Sequence, residues 1–401
     1  MSFRAVNLQM NRILVIFGTR PEAIKLSPVI LRLRQCPDFD VRTCATAQHR
    51  ELLDQVLSVF RIKPDHDLDL MLPGQTLTQA SSRILAALES VLRQEQPDLV
   101  LVQGDTTTTL CGALAAFYRR IPVGHIEAGL RTGDLAQPFP EEMNRVVATR
   151  LSTLHFAATG WAAENLRREG VDPGCVYVTG NTGIDAVLFI KTALESGELT
   201  SPAPVECPAG RKLIVVTAHR RESFGEGFEH ICKALADLAL RSDVHIVLPV
   251  HPNPNVRGPV ARLLGGLANV TLLDPLEYVP FVDLMRRAYM LITDSGGIQE
   301  EGPSLGKPVL VMREKTERPE AVEAGTVKLV GTDPELILRE AGLLLDDAAE
   351  YRRRSRVHNP YGDGQASSRI AEIIGRFLQD RKEAGPIGSY FNDRSSTSRF
   401  S

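Results

Sequence analysis

The sequence of 401 residues lacks long apolar runs and lacks an excess of charge of one sign. Its longest apolar stretch, residues 110–118, is far shorter than the roughly 20 residues that a membrane-spanning helix needs. The apolar patch near the N-terminus is also too brief for a signal peptide. The 46 Lys and Arg residues nearly balance the 49 Asp and Glu residues, so no overall field would attract nucleic acid. We therefore expect a cytoplasmic protein that binds neither membranes nor nucleic acid.

Cysteine pairs and cofactor motifs are missing as well. The six cysteines form no CxxC pair and show no zinc-ligand spacing, which favours reduced thiols. The sequence contains no GxGxxG after a candidate strand, no Walker loop and no HExxH. It therefore predicts no metal and no redox cofactor, and a few local cations must meet any anion that the protein binds.

Short β-branched runs alternate with stretches of helical spacing from residue 12 onward, the pattern of βαβ units and a mainly parallel sheet. Six candidate strands lie in each half of the chain. They begin at Arg12, Val41, Leu99, Val123, Leu154 and Val176 in the first half and at Lys212, His245, Val270, Met290, Pro308 and Thr326 in the second. The pattern predicts an α/β fold of two Rossmann-like, doubly wound domains that face one another, with ligands at the carboxyl ends of the strands.

The domain boundaries follow from where this alternation stops and restarts. Residues 191–211 lose the periodicity and contain Pro202, Pro204 and Pro208, which predicts a linker between a first domain, 1–190, and a second, 212–363. Residues 364–384 carry the pattern of one amphipathic helix. The Ser- and Gly-rich tail, 385–401, is expected to be disordered.

Two loop-to-helix junctions carry groups suited to an anion. In the first, Pro21 suits the first helical position, so Arg20 stands at a helix N-terminus that attracts anions, and Lys25 lies about one turn further on. In the second, Ser295 follows a candidate strand and two glycines open the next helix, which suits a phosphate cradle. One of the carboxylates at 300 and 301 could accept both hydroxyls of a ribose, so a nucleoside diphosphate would explain both junctions. The alternatives are that Arg20 pairs with a surface carboxylate and that Ser295 belongs to a plain capping turn.

Acidic residues gather at strand ends of the first half: Asp105, Glu127, and the adjacent pair Glu141 and Glu142, of which Glu141 is the catalytic candidate. General acid and base catalysis needs carboxyls that face a substrate and differ in pKa because of burial or neighbouring charge. Two structural alternatives remain open: Glu141 could form a salt bridge with Arg145, four residues along a helix, and Asp105 could cap the helix that follows it. In the second half, His219 ends a candidate strand, where its imidazole can meet a phosphate.

Seven motifs occur in one order along the chain: FGTRPEAIK, QGDTTTT, HIEAGLRTGD, PFPEEMNR, TAHRRESFG, DSGGIQEEGPSLGKPVLVMR and TERPEA. Together they resemble the non-hydrolysing bacterial UDP-N-acetylglucosamine 2-epimerases, and the resemblance covers about residues 12–379. It implies a GT-B architecture with the active site in the cleft between the domains and a C-terminal helix that crosses back to the first domain. It also implies a homodimer that interconverts UDP-GlcNAc and UDP-ManNAc without NAD or metal and supplies ManNAc for surface polysaccharides.

The resemblance implies roles for individual residues in both halves. It places around the UDP moiety Arg20, Lys25, His219, Ser295, Gly296, Gly297, Glu301 and Arg318, with Phe281 near the uracil. The implied catalytic acids are Asp105, Glu127 and Glu141, with His219 as a further catalytic candidate. Arg145 and Leu276 are additional candidate substrate contacts, and Leu276 stands where a Gln is often seen in the family.

The implied reaction also has a physical rationale. The C2 hydrogen of this sugar is not next to a carbonyl, so a carboxylate cannot remove it without help. If the bond from C1 to the UDP oxygen breaks first, carboxylates stabilise the positive sugar, C2 becomes acidic, and a 2-acetamidoglucal forms. Protonation on the other face and re-addition of UDP complete the epimerisation, and the sequence leaves open which carboxyl acts on which face.

Regulation and two other functions remain open at this point. Some family members bind a second UDP-GlcNAc as activator, and Gln48, His49 and Arg220 match that site, whereas Glu51 and Gly74 depart from it. A GT-B glycosyltransferase with a UDP-sugar donor would use the same nucleotide site, but it would also need an acceptor groove. A UDP-sugar sensor would need no catalytic carboxyls.

Overall fold

The computed structural model describes residues 10–46, 50–72, 74–201, 205–316, 318–356 and 359–383, without the side chains of residues 50–52. In this part of the chain a first parallel sheet has the strand order β3-β2-β1-β4-β5-β6-β7. Its strands are β1 (Asn11–Phe17), β2 (Phe39–Ala45), β3 (His66–Asp67), β4 (Leu99–Gln103), β5 (Val123–Ile126), β6 (Leu154–Ala157) and β7 (Val176–Val178). Its helices are α1 (Arg20–Arg34), α2 (Arg50–Val59), α3 (Leu77–Glu95), α4 (Thr107–Tyr118), α5 (Glu141–Leu151), α6 (Gly160–Arg168) and α7 (Thr182–Glu195).

The second sheet is also parallel, with the order β10-β9-β8-β11-β12-β13. Its strands are β8 (Lys212–Thr217), β9 (Val244–Pro249), β10 (Val270–Leu273), β11 (Met290–Thr293), β12 (Val309–Val311) and β13 (Val327–Leu329). Its helices are α8 (Glu226–Leu238), α9 (Pro254–Leu264), α10 (Tyr278–Arg287), α11 (Gly296–Ser304), α12 (Pro319–Glu323), α13 (Pro334–Asp346) and α14 (Ala348–Ser355). A last helix, α15 (Ala366–Glu383), follows.

Both sheets are doubly wound, which confirms the predicted fold. In the first sheet β1 pairs with β2 on one side and with β4 on the other, and in the second sheet β8 pairs with β9 and β11 in the same way. The chain therefore reverses direction across each sheet next to β1 and next to β8, and ligands bind at such switch points. The predicted strands are all present, while β3 was not predicted because two residues are too few to show a pattern.

Helices cover both faces of each sheet, so the central strands are apolar along their whole length. All residues of β4 are buried. Cys44 and Cys111 belong to the core on one face of the first sheet, and the six cysteines are free thiols. Among the described residues no helix is long and apolar enough to cross a membrane.

The connection between the domains starts later than the sequence indicates. Helix α7 continues to Glu195, past the predicted linker start at residue 191, because Ala193 is buried and Leu194 packs on the core. Residues 202–204, which include two of the linker prolines, and the tail 385–401 lie outside the described residues.

Helix α15 follows the second domain in sequence but packs against α1 and α7 of the first. Asp185 of α7 receives the N-terminus of α15, since its carboxylate accepts hydrogen bonds from the Ser367 N–H at 2.7 Å and the Ala366 N–H at 3.3 Å. Ile370 and Ile374 bury their side chains in the hydrophobic core that α1 and α7 help to form. The chain thus crosses between the domains twice, which ties them together on one side of the cleft.

Candidate active site

The loops after β1, β4, β8 and β11 flank the two switch points, and the predicted functional residues lie in or near them. Hydrogen bonds beside these loops join the domains. Asn181 Nδ2 donates to Glu300 Oε2 at 2.8 Å, and Thr159 Oγ1 donates to Glu320 Oε1 at 2.6 Å. The carboxyl ends of the two sheets therefore face a common cleft.

The junction after β1 presents Arg20 to the cleft. Thr19 caps α1 in a capping box with Glu22, so α1 begins at Arg20, one residue earlier than the position of Pro21 suggests. Arg20 forms no ion pair with any described carboxylate, so the structure does not contain the predicted surface pair. Its charge instead acts on Tyr278 and Glu301 of the second domain.

Lys25 lies one turn further along α1 and contacts a carboxylate of its own domain. Its ammonium donates a hydrogen bond to Glu127 Oε2, and Gln103 Nε2 donates to the same oxygen at 2.6 Å. Burial alone would raise the pKa of Glu127, but the charge and hydrogen bond of Lys25, helped by Arg318, hold that pKa below its usual value. Glu127 also adopts a φ of 63°, a left-handed conformation that is uncommon outside glycine. The Glu127 side chain therefore favours its ionised form, is held by two donors, and lines a cavity between the domains.

Asp105, after β4, is held by α5. The guanidinium of Arg145 donates to the Asp105 carboxylate, and Asn144 Nδ2 donates to the Asp105 carbonyl oxygen at 2.8 Å. Burial raises the pKa of Asp105, Arg145 opposes this, and the charge of Glu127 adds to the rise. Thr106 rather than Asp105 caps α4, so the predicted capping role of Asp105 is wrong.

Glu141 and Glu142 begin α5 and have different surroundings. Glu142 is buried, accepts from the N–H groups of Thr132 and Gly133, and pairs with Arg145 at 3.0 Å. The predicted alternative in which Arg145 pairs with Glu141 is therefore wrong. Glu141 has no hydrogen bond or ion pair to the described residues, which leaves its carboxylate available to a ligand. Sequence reasoning named Glu142 with Glu141 in PFPEEMNR but assigned a catalytic role to Glu141 alone.

The junction after β11 is open to a ligand. Ser295 is the N-cap residue of α11, but its hydroxyl makes no capping hydrogen bond, so the structure does not contain the predicted plain cap. A Cβ at position 296 would lie 2.6 Å from Nη1 of Arg318, so only a glycine there lets that guanidinium lie over the helix start. A Cβ at Gly297 would meet no atom within 4 Å, which shows open space. The helix N-terminus and a guanidinium thus face the same volume.

The two glutamates of α11 divide their contacts. Glu300 accepts from Nε of Arg318 at 2.6 Å and from Asn181 of the first domain. The carboxylate of Glu301 has no hydrogen bond or ion pair to the described residues. Burial raises the pKa of Glu301 to about 8, and the charge of Glu300 contributes to this rise. Tyr278, which sequence reasoning missed, is buried beside Glu301, and its hydroxyl has no hydrogen-bond partner among the described residues.

His219, after β8, is anchored by Asp294. Its Nδ1 lies 3.3 Å from Asp294 Oδ1, while Asp294 Oδ2 accepts from the N–H groups of His219 and Arg220 at 2.6 and 2.7 Å. The imidazole stacks on His251 with ring centroids 5.6 Å apart. Burial lowers the pKa of His219, and Asp294 opposes that shift. The ring is therefore oriented for a ligand but tends to be neutral.

The remaining predicted contacts lie at the edge of this cluster. Leu276 and Phe281 flank the start of α10 and pack on the core, partly buried. Gln48 and His49 lie outside the described residues, so of the possible activator site only Arg220 is described. The structure thus brings together Arg20, Lys25, Asp105, Glu127 and Arg145 of the first domain with Glu300, Glu301 and Arg318 of the second.

Two Rossmann-like domains, each with a parallel sheet and with charged loops that face a shared cleft, define a protein of the GT-B class. The chain belongs to the UDP-N-acetylglucosamine 2-epimerase family, since residues 31–375 match the family model of that description. The resemblance in the sequence is thereby confirmed. The UDP-N-acetylglucosamine 2-epimerase of Escherichia coli K12 is 57% identical over 368 residues, covering 90% of this chain and 98% of that protein. The enzyme of that name from Bacillus subtilis is 49% identical over 374 residues, covering 93% and 97%.

Solved structures agree with this assignment. The UDP-GlcNAc 2-epimerase of Neisseria meningitidis bound to UDP-GlcNAc superposes with a TM-score of 0.83 at 48% identity, covering 91% of this chain and all of that one. A UDP-N-acetylglucosamine 2-epimerase from Listeria monocytogenes, described as putative, gives a TM-score of 0.86 at 43% identity, covering 92% and 97%. A glycotransferase of kitacinnamycin shares only the fold, with a TM-score of 0.61 at 15% identity, covering 92% and 99%.

Proposed function

We propose that this protein interconverts UDP-GlcNAc and UDP-ManNAc by reversible epimerisation at C2 and so supplies UDP-ManNAc for surface polysaccharide synthesis. One observation carries the proposal beyond family membership. Asp105 and Glu127 lie in one cleft with opposite pKa shifts, and both face a junction suited to a departing nucleoside diphosphate. Two carboxyls with unequal pKa values are what an elimination and a re-addition at neighbouring carbons require.

The leaving group is held from both domains in this proposal. Arg20 and the open N-terminus of α11 carry positive potential toward the same volume, and Ser295 adds a hydroxyl that no cap uses. His219 offers a hydrogen bond from an oriented ring. These groups stabilise the negative charge that grows on the UDP oxygen as its bond to C1 breaks.

The carboxyls act on the sugar. Glu127, kept ionised by Lys25, stabilises the positive charge at C1 and is placed as a base. Asp105, whose pKa burial raises, more readily carries a proton and suits the return of a proton to C2. Glu141 has no protein partner among the described residues and is the third group that can exchange a proton. The proton lost from C2 and the proton gained there then pass through different carboxyls on opposite faces.

Incubation of the purified protein with UDP-GlcNAc in heavy water, without added NAD or metal, tests the function. We expect both epimers to form with deuterium at C2, since the glycal takes its new proton from an exchangeable carboxyl. A matched reaction in ordinary water should give the same epimer mixture without the label. Transfer of the sugar to an acceptor with the C2 hydrogen retained would instead show a glycosyltransferase.

We also propose that the protein is a cytoplasmic homodimer. The six free thiols suit a reducing compartment such as the cytoplasm.

The dimer is proposed from an exposed apolar surface. The α4 and α5 helices lie side by side and expose the apolar side chains Phe117, Tyr118 and Val147, with Tyr118 72% exposed. A second copy would cover these side chains. Light scattering should give about twice the 44.0 kDa of one chain, and Tyr118→Asp should shift the mass toward the monomer; a monomeric wild type would refute this part of the proposal.

A further inference from the structure

Glu22 is a buried carboxylate that bridges two loops of the candidate site. Its side chain is 1% exposed. Oε2 accepts from the N–H groups of Gly18 at 3.0 Å and Thr19 at 2.7 Å. Oε1 accepts from the hydroxyl of Thr106 at 2.7 Å, and the hydroxyl oxygen of Thr109 lies 3.3 Å from it. Three donors, two from the β1 to α1 loop and one from the start of α4, therefore converge on one carboxylate, with the Thr109 hydroxyl beside them.

The local role of Glu22 accounts for only part of this network. In the capping box of α1, Glu22 needs to accept only from the N–H of the cap residue, Thr19. A glutamate in a capping box can remain exposed, whereas removing a carboxylate from water costs free energy unless hydrogen bonds compensate for it. The bond from Thr106 and the contact with Thr109 come from the start of α4 and contribute nothing to the cap of α1. They connect α1 to a different loop.

The two loops that Glu22 joins carry the two halves of the proposed chemistry. The β1 to α1 loop ends at Thr19, next to Arg20, the first residue of α1. The β4 to α4 loop carries Asp105, next to Thr106, and Thr106 also caps α4 by accepting from the Thr109 N–H at 3.1 Å. Glu22 therefore sets the separation between a group that meets the leaving UDP and a carboxyl that exchanges a proton.

The network also reaches the second carboxylate. The hydroxyl of Thr109 donates to the carbonyl oxygen of Gln103 at 2.6 Å, and Gln103 Nε2 donates to Glu127 Oε2 at 2.6 Å. The loops are packed without slack, since a Cβ at Gly18 would collide with the hydroxyls of Thr46 and Thr108. A shift of Glu22 would thus be transmitted to Glu127 as well as to Asp105.

We propose that Glu22, with Thr106 and Thr109, is a positioning unit that keeps the leaving-group junction aligned with the two carboxyls. This inference rests on the proposed function. In the elimination the electron pair of the C1 to oxygen bond leaves with UDP, the C2 proton passes to a carboxylate, and the C1 to C2 double bond forms. In the return step a carboxyl delivers a proton to C2 and the UDP oxygen re-forms its bond to C1. Alignment matters most in the return step, because UDP and the glycal are separate molecules until they recombine.

The test compares three changes in the threonine run. Thr106→Val removes the hydroxyl that donates to Glu22, Thr106→Ser restores it, and Thr107→Val makes the same chemical change at a residue that makes no hydrogen bond to Glu22. The readouts are kcat, KM, the dissociation constant of UDP, and the fraction of turnovers that release free UDP and 2-acetamidoglucal. A role that is only structural would lower the amount of folded protein without changing that fraction.

We expect Thr106→Val to lower kcat by about tenfold or more and to raise the released fraction severalfold, with the UDP dissociation constant within about threefold of the wild type. Thr106→Ser should return both values to within about threefold, and Thr107→Val should match the wild type. Glu22→Gln keeps the shape of the side chain and removes its charge, so it should also raise the released fraction. It provides the test if Thr106→Val folds poorly.

Three results would overturn the inference. An unchanged released fraction in both Thr106→Val and Glu22→Gln would reduce the network to a helix cap. A parallel change in Thr107→Val would show that the run matters only for folding. Failure of serine at position 106 to restore the fraction would show that the hydroxyl is not the important group. If the wild type itself produced no epimer, the proposed function would fail rather than this inference.

Discussion

Replacement of Lys25 by methionine tests whether this ammonium governs the charge of Glu127. Methionine keeps an unbranched apolar stem and removes the charge, so packing along α1 is largely preserved. In the wild type Lys25 and Gln103 both donate to Glu127 Oε2. In the variant only the neutral amide donor remains, and the carboxylate stays partly buried.

The size of the effect follows from the cost of leaving a charge without its partner. Breaking a buried ion pair on one side costs about 3–5 kcal/mol, and the partial exposure of Lys25 and Glu127 favours the lower end. At about 1.4 kcal/mol for each factor of ten, we expect kcat near neutral pH to fall by about a hundredfold. Lys25 holds the pKa of Glu127 down against burial, so its loss raises that pKa, and the acid limb of the kcat profile moves to higher pH.

The assay is the pH dependence of kcat between about pH 5 and 9 for the wild type, Lys25→Met and Gln103→Leu. Gln103→Leu removes a neutral donor and should lower kcat by only about tenfold, with a smaller displacement of the acid limb. A Lys25→Met profile with an unmoved acid limb, together with weaker UDP binding, would refute the reasoning. It would show that Lys25 serves the nucleotide rather than the carboxylate.

Three further outcomes can be checked by standard measurements. Asp105→Asn should lower kcat by at least about a hundredfold with the UDP dissociation constant within severalfold; loss of UDP binding would identify Asp105 as a binding residue. Because the folded-state pKa of Glu301 is about 8, the folded chain holds that proton more tightly than the unfolded chain, so stability from this group falls as pH rises from about 4.5 to about 8. In the absence of ligand, the melting temperature of Glu301→Gln should therefore fall less over this pH range than that of the wild type. Parallel curves of melting temperature against pH would exclude the effect. Asp185→Ala should destabilise the fold by about 1–2 kcal/mol in urea by uncapping α15, whereas Glu89→Ala, which breaks only the exposed ion pair with Arg93, should cost less than about 1 kcal/mol.

The fold was largely predictable because its signal is local and repeated. The central strands are buried on both faces, so they read as apolar runs, and the turns between elements interrupt them. The boundary of α7 was missed because its last turn has linker-like composition, while the burial of Ala193 depends on a core that only the folded chain forms. Strand β3 is defined by its pairing with β2, and a segment of two residues is too short for its sequence to indicate that pairing.

The loops that form the candidate site could be located from the sequence, but the side-chain pairings within it could not. The carboxyl-end loops could be located from the ends of the strands, so Arg20, Asp105 and Ser295 could be named. The partner of Lys25 lies 102 residues away, and one of the two partners of Arg145, Asp105, lies 40 residues away. Sequence reasoning offered only Glu141, on the same helix, as a partner of Arg145, because spacing shows contacts along one helix only. Side-chain partners across loops depend on how the sheets and helices pack.

These pairings divide the cations of the cleft into two groups with different effects on the reaction. Lys25, Arg145 and Arg318 each form an ion pair with a carboxylate, so their charges mainly stabilise the ionised form of that carboxylate. Arg20 has no such partner among the described residues, and its field reaches the second domain. In the proposed reaction we therefore expect a departing diphosphate to meet Arg20 and the N-terminus of α11 as its main new electrostatic partners, without displacing the ion pairs that control the acids. Because the two tasks use different cations, charge can leave with UDP and return with it while the protonation of the carboxyls stays under separate control.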